Sequence, residues 1–409
     1  MKVIKEKAHQ LYQVLPEYKR FDQKFNMTRR PTWDWTDYGK TLLQNRIKLL
    51  KQGKTGYSLK DWAMNEAFNS RRRLGQTDIN IPNKGHSSWL NRWAEIPSGV
   101  ERFTGDSSSA SRYVGKMAYL LGADKVGFAD LDRRWIYSRW YDEESRESYP
   151  ILFSDETTGD YSAPTLLEDR KQVIPEEMNK VVVMIVAMDK AGMDAAPTVT
   201  EQATTARTYE HLSTLVLGVA EFIRGLGYHA LPMVNDTALS IPLAIDAGLG
   251  QLGRHGMLIT PSFGPRCRIC KVLTDLPLPS DWPIDFGVTA FCDVCRKCAD
   301  RCPAGAITKG KRSYEAGSIS SNPGVLKWTF DAEGCRRYHM STGTNCGICI
   351  RVCPYNKNPH WFHSAPRWVI ENLPPLNPFW VKMDNLFSYG KFKDPEKYFW
   401  RTGSLRKED

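Results

Sequence analysis

With 409 residues, 41% apolar and 25% charged side chains and a net charge of +10, the chain can bury a large core and has the composition of a water-soluble globular protein. Its longest strong apolar run, VVVMIVAM at 181–188, falls well short of the ~18 residues of a membrane-spanning helix. No charged segment followed by an apolar one opens the chain as an export signal would. The positive charge is compatible with nucleic acid, but the basic residues, among them Arg71, Arg72, Arg73 and Lys309 to Arg312, are scattered. No nucleic-acid partner is expected.

In chain order, residues 1–105 are polar and rich in Trp and Arg and read as a helical and loop unit packed on something else. TGDSSSAS at 104–111 is a linker or helix start. Tyr113, Val114, Met117, Ala118, Leu120 and Leu121 then recur at helical spacing, with Gly122 as the stop. DKVGFAD at 124–130 reads as a short strand, and 139–175 as a polar insertion. A buried strand at Val181–Met188 precedes a helix carrying Leu212, Leu215, Val216, Val219, Phe222 and Ile223 on one face, with Tyr209 near its start and Gly225 and Gly227 at its end. Strands at Tyr228–Leu231, Met257–Thr260 and Arg266–Thr274 and a short helix at Ile241–Ala247 complete an α+β pattern. The glycines of AGLGQLGRHG at 247–256 follow a helix and lead into a strand. A dinucleotide fingerprint runs the other way, from strand to helix, so the run suits a wrap around a large, flat cofactor, or simple turns.

Eight of the ten cysteines lie in the last third of the chain. Cys292, Cys295, Cys298 and Cys302 form a C-x2-C-x2-C-x3-C run closed by Pro303; Cys346, Cys349 and Cys353 form a second, closed by Pro354. This is the spacing of a two-cluster ferredoxin, in which the fourth cysteine of each run ligates the other cluster. Cys292, Cys295, Cys298 and Cys353 are therefore assigned to one [4Fe-4S] cluster, and Cys302, Cys335, Cys346 and Cys349 to the second. A standard second run would begin at position 343. That residue is Gly343, so Cys335 must be brought back by a long loop. Zinc uses two separate C-x2-C knuckles and has no need of such runs, and a chain of this length does not need disulfide staples. Cys267 and Cys270, three apart on a predicted strand, point to opposite faces and read as ordinary buried thiols.

GYHALPMVNDTALSIPLAIDAGLGQLGRHGMLITPSFGPRCRICKVLTDLPL, followed by FGVTAFCDVCRKCADRCPAGAI, the displaced Cys335 and the closing DNLFSYG at 384–390, together resemble the catalytic subunit of the corrinoid-dependent reductive dehalogenases. The resemblance spans roughly 110–390. It implies an α+β fold: a nitroreductase-like α/β sandwich holding a base-off corrinoid (cobalamin), with an inserted two-cluster ferredoxin-like module. The corresponding domains are an amino-terminal unit 1–105, a corrinoid-binding core 106–285, the cluster module 286–356 and a carboxy-terminal segment 357–409 that returns to the core.

Carried over by position, the family's acid falls on Tyr209, its arginine partner on Arg268 and a pocket asparagine on Asn235. A guanidinium beside a phenol stabilises the phenolate and so makes the phenol a better proton donor. Thr237, Ser240, Gly248, Gly250, Gly253 and Arg254 are the expected corrinoid contacts. The activity implied is replacement of halogen by hydrogen on a small organohalide, a chlorinated ethene or alkane, with electrons from an external low-potential donor. A small membrane-anchor subunit is an implied partner, with the protein at the outer face of the cytoplasmic membrane after loss of a twin-arginine signal, or in the cytoplasm if Met1 is the native start. Rival readings are an epoxyqueuosine reductase-like enzyme acting on tRNA, which carries an aspartate where this chain has Tyr209, and a two-cluster electron-transfer subunit with no site of its own. Trp33, Trp35, Trp62 and Trp328 are candidate pocket rings.

Overall fold

The structure, a computed structural model, describes residues 1–4, 12–78, 94–357, 361–387 and 389–401. In chain order its longer elements are α1 (Tyr38–Lys51), α2 (Leu59–Asp78), α3 (Ser107–Leu120), β1 (Lys125–Asp130), β2 (Lys180–Ala187), α4 (Val199–Gly225), β3 (Ala230–Met233), α5 (Ser240–Asp246), β4 (Cys267–Thr274), α6 (Ala332–Thr342), α7 (Trp361–Asn372) and α8 (Asn377–Leu386). The four strands form one antiparallel sheet in the order β1-β2-β4-β3.

After Lys180 at its edge, β2 is apolar from Val181 to Ala187 because both faces of the sheet are covered. Val182, Met184 and Val186 of β2 join Cys270 and Val272 of β4 under α3 and α4, through Ala110, Val114, Leu212, Leu215 and Val219. Val181, Val183 and Ile185, with Cys267, Ile269 and Leu273, meet α5 and the Trp135–Ile136 segment on the other face. Each fully buried aliphatic side chain contributes about 1.5–3 kcal/mol relative to exposure. Cys267 and Cys270 thus lie on opposite faces, as their spacing predicts. Burial pushes both thiols up to about 12, which keeps them protonated.

Three expectations about elements are corrected. The 139–175 segment is not simply a polar insertion: Arg139–Tyr141, Ser148–Phe153, Thr165–Leu166 and Gln172–Ile174 form a second four-stranded sheet. Its Ile151, Phe153 and Ile174 are fully buried in the core. The strand expected at Met257–Thr260 is only Leu258–Ile259, paired with Gln251–Leu252. α4 starts at Val199, where the Thr198 side chain accepts from the Glu201 amide, so Tyr209 lies inside the helix. The apolar periodicity fails over this first part because its buried residues include Thr200, Glu201, Thr204, Thr205 and Thr208, with only Val199, Ala203 and Ala206 as apolar ones. The Thr204 and Thr208 hydroxyls donate to carbonyls one turn back, at 3.0 Å each.

Cys335 is returned by a helix, not by a loop. Asp331 caps α6, accepting from the Glu333 and Gly334 amides at 3.1 and 2.9 Å. Gly343 ends it at φ +67°, where a Cβ would lie 2.4 Å from the Arg46 backbone nitrogen. The amino-terminal unit seats on this end: Arg46 Nε donates to the Gly343 carbonyl at 2.7 Å, and Tyr57 Oη to that of Thr342 at 2.8 Å. Gly343→Ala is expected to destabilise the protein by about 2 kcal/mol or more, combining left-handed strain with the backbone collision. A urea midpoint unchanged from the parent would contradict this.

Described residues after 357 touch the rest of the chain at several points. The Lys393 amide donates to the Asp194 carbonyl at 3.0 Å and Trp400 Nε1 to Asp61 at 2.8 Å, while Asp384 of α8 pairs with Lys297 in the cysteine-rich module and with Lys357. Among the described residues, no helix is long and apolar enough to cross a membrane.

Candidate active site

Two cavities of about 650 and 480 Å³ meet at Thr28, Tyr209, Asn235, Gly256 and Phe330, which line both. α4 presents Glu201, Thr205, Tyr209 and Ser213 to the larger one, four residues apart and therefore on one face of the helix. From β4, Arg268 enters the same space with its guanidinium carbon 5.6 Å from the Tyr209 ring centroid. Its Nη1 donates to the Cys267 carbonyl at 3.0 Å, and its buried Nε finds no acceptor among the described residues. The structure thus brings Tyr209, Arg268 and Asn235 to one cavity.

The Asn235 loop is fixed from below by Lys271, which is fully buried. Its Nζ donates to the Val234 carbonyl at 2.7 Å and to Ser240 Oγ at 2.9 Å, while Asp236 accepts from the Val234 amide at 2.9 Å. Burial holds the Lys271 amine down at about 8, with nearby Asp236 opposing. Burial likewise pushes the Glu201 carboxyl up to about 7, against Arg268 and the Thr205 hydroxyl, which donates to it at 3.1 Å.

Cys302, Cys335, Cys346 and Cys349 also line the larger cavity. Cys292, Cys295 and Cys353 sit behind, packed with Phe291, Trp328 and Tyr355. Burial raises the Cys349 thiol well above its usual range, with further upward pushes from Cys346, Cys335, Cys298 and Cys302; Cys353 is raised by burial and by Cys292, Cys298 and Cys295. Cys298, assigned by spacing to the set of Cys292, Cys295 and Cys353, packs beside Cys302, Cys346 and Cys349 and so lies between the two sets. Ionising such thiols calls for strong positive charge, which a metal cluster provides.

The expected corrinoid contacts divide. Ser240 lines the smaller cavity. Thr237, buried beside Asn235 at φ +62°, accepts from the Tyr137 amide at 2.8 Å, but is not on either cavity wall. Gly248, Gly250 and Gly253 do not face the cavities. A Cβ on Gly248 would lie 2.5 Å from the Trp282 carbonyl oxygen, on Gly250 2.3 Å from that of Ile259, and on Gly253 2.7 Å from the Ile259 side chain. These glycines permit close backbone packing, and only Gly256, with open space at its Cβ position, lines both cavities. Arg254 lines neither cavity: it is buried and donates to the carbonyls of Cys292, Asp293, Thr308 and Gly310, which fastens the core to the cysteine module.

Of the four tryptophans, Trp328 lines the smaller cavity. Trp33, Trp35 and Trp62 instead stack under Lys24, Arg30 and Arg46, at 4.8, 5.4 and 5.8 Å. Sequence reasoning missed Glu201 and His255; the four-residue spacing of Glu201, Thr205 and Tyr209 was the available signal for the first. The joint cavity suits a large flat cofactor, having open room at Gly256 and buried unpartnered polar atoms at Arg268 Nε and His255 Nε2.

Comparison with known proteins gives two family matches. Residues 26–278 match the reductive dehalogenase subunit family, and residues 291–356 match the 4Fe-4S double cluster binding domain. The tetrachloroethene reductive dehalogenase of Sulfurospirillum multivorans is 36% identical over 373 residues, covering 84% of this chain and 73% of that protein. The tetrachloroethene reductive dehalogenase of Dehalobacter restrictus is 36% identical over 305 residues, 70% of this chain and 55% of that one. A solved reductive dehalogenase structure, described in terms of B12-dependent dehalogenation, superposes over 95% of this chain and 49% of its own, with a TM-score of 0.68 at 22% identity. That likeness carries the fold, which agrees with the expected α+β architecture.

Proposed function

We propose, since this chain belongs to the reductive dehalogenase family, that it replaces a halogen by hydrogen on a small organohalide: R–X + 2e⁻ + H⁺ → R–H + X⁻. The observation that carries this reading is one cavity lined by a phenol, a guanidinium and four cysteines. Cys302, Cys335, Cys346 and Cys349 hold the cluster beside that space, and Cys292, Cys295, Cys298 and Cys353 the one behind it. A corrinoid in the joint cavity, held along Ser240, Gly256 and Trp328, supplies when bound the low-valent cobalt that breaks carbon–halogen bonds.

Tyr209 delivers the proton to the carbon that loses halogen, and Arg268 steadies the phenolate left behind. Asn235, rigidly mounted over Lys271, orients the substrate or the phenol. The substrate class that fits this reading is a small chlorinated ethene or alkane. Electrons come from an external low-potential donor, and a small membrane-anchor partner at the outer membrane face belongs to the same reading.

Cobalt, corrinoid and iron content of anaerobically prepared protein tests it, with about eight irons and one corrinoid per chain expected for two [4Fe-4S] clusters. A halide-release screen over chloroethenes, chloroalkanes and chlorophenols then identifies the substrate class. Protein with full iron and no corrinoid would contradict the reading and leave an electron carrier.

A further inference from the structure

The imidazole of His255 is only half satisfied by the protein. Its Nδ1 accepts the Met257 amide at 3.2 Å, which in a neutral ring places the proton on Nε2. That Nε2 is buried and has no hydrogen-bond partner among the described residues, in a side chain only 4% exposed. A buried N–H left without an acceptor is unfavourable. His255 lines the larger cavity next to Gly256, which opens onto both. Room for the ring is kept by Gly253, where a Cβ would lie 2.8 Å from His255 Cε1. Burial holds the imidazole down at about 4, so it remains a neutral donor across ordinary pH.

We propose that His255 Nε2–H donates to a peripheral carboxamide oxygen of the bound corrinoid, making His255 a cofactor-retaining residue. This rests on the reading above that the joint cavity holds a corrinoid. A corrin edge is rich in amide carbonyls, so it offers the class of acceptor that the cavity lacks for this donor. Neither proton transfer nor cobalt ligation is required of the ring.

The test uses anaerobically purified holoprotein with His255→Leu and His255→Gln variants, following corrinoid release by absorbance at urea concentrations below unfolding, with iron content as the control for the fold. His255→Leu is expected to release corrinoid about tenfold faster at unchanged iron. His255→Gln, which keeps an N–H donor, is expected to stay within about threefold of the parent. Equal release by parent and His255→Leu, or Gln behaving like Leu, overturns the proposal. If His255→Leu also loses iron, ¹⁵N-histidine spectra of the parent decide. A slowly exchanging Nε2 proton only when corrinoid is bound supports the contact, and identical exchange with and without corrinoid overturns it. Corrinoid missing from the parent overturns the broader reading as well, whereas a parent that holds corrinoid equally well without His255 overturns this inference alone.

Discussion

Tyr209→Phe is expected to leave the protein folded, with its iron and corrinoid in place, and to lower halide release by about 10²–10⁴-fold, the usual worth of a positioned general acid. The change removes one oxygen from a partly buried ring that the α4 backbone and the neighbouring Arg268 continue to hold. Its effect therefore falls on proton delivery. Arg268→Met is expected to have a smaller effect on the same step, because it removes stabilisation of the phenolate and leaves the acid in place. It also removes the cation facing Glu201, whose carboxyl Arg268 holds down against the push of burial. Steady-state rates with matched corrinoid and iron contents check both variants. Parent-like turnover by Tyr209→Phe would remove the phenol from the mechanism.

The second large effect is expected at Cys335. Cys335→Ser should lose about half of the protein's iron, the share of one [4Fe-4S] cluster of two, and abolish turnover driven from an external donor. The natural repair would be Gly343→Cys, which restores regular ferredoxin spacing. It is expected to fail, since position 343 takes a left-handed φ of +67° and a Cβ there would lie 2.4 Å from the Arg46 nitrogen and 2.6 Å from its Cα. The thiol would start from a backbone that α1 already occupies. Iron analysis of the Cys335→Ser/Gly343→Cys protein provides the check, and recovery of full iron would show that the helix offset is incidental. Cys335 lines the Tyr209 cavity, so under the proposed ligand assignment loss of its cluster is expected to interrupt electron delivery directly.

How much of this was legible in the sequence depended on how local the determining chemistry is. The cysteine runs were readable because the spacing of cluster ligands is set within a few residues of chain. β2 was readable because a strand buried on both faces leaves a continuous apolar run, Val181 to Ala187. The first three turns of α4 were hidden, since that stretch buries threonines and Glu201 where periodicity looks for leucines. Tyr209 and Arg268 come from elements 59 residues apart and were located only through family resemblance; their meeting is a product of the sheet, in which Arg268 pairs with Val186 beneath α4. The glycine run announced a close approach without saying to what. In Gly248 and Gly250 the approaching group is the protein's own backbone, and in Gly256 it is the cavity.

The most direct test of the account is the stoichiometry of a reductive turnover. Anaerobic protein containing corrinoid and iron, supplied with a chemical reductant and a chlorinated ethene or alkane in D₂O, is expected to release one halide for each two electrons consumed and to place one deuterium at the carbon that lost it. Protein that carries its full corrinoid and iron yet consumes no reductant and releases no halide from any organohalide in the screen would contradict it.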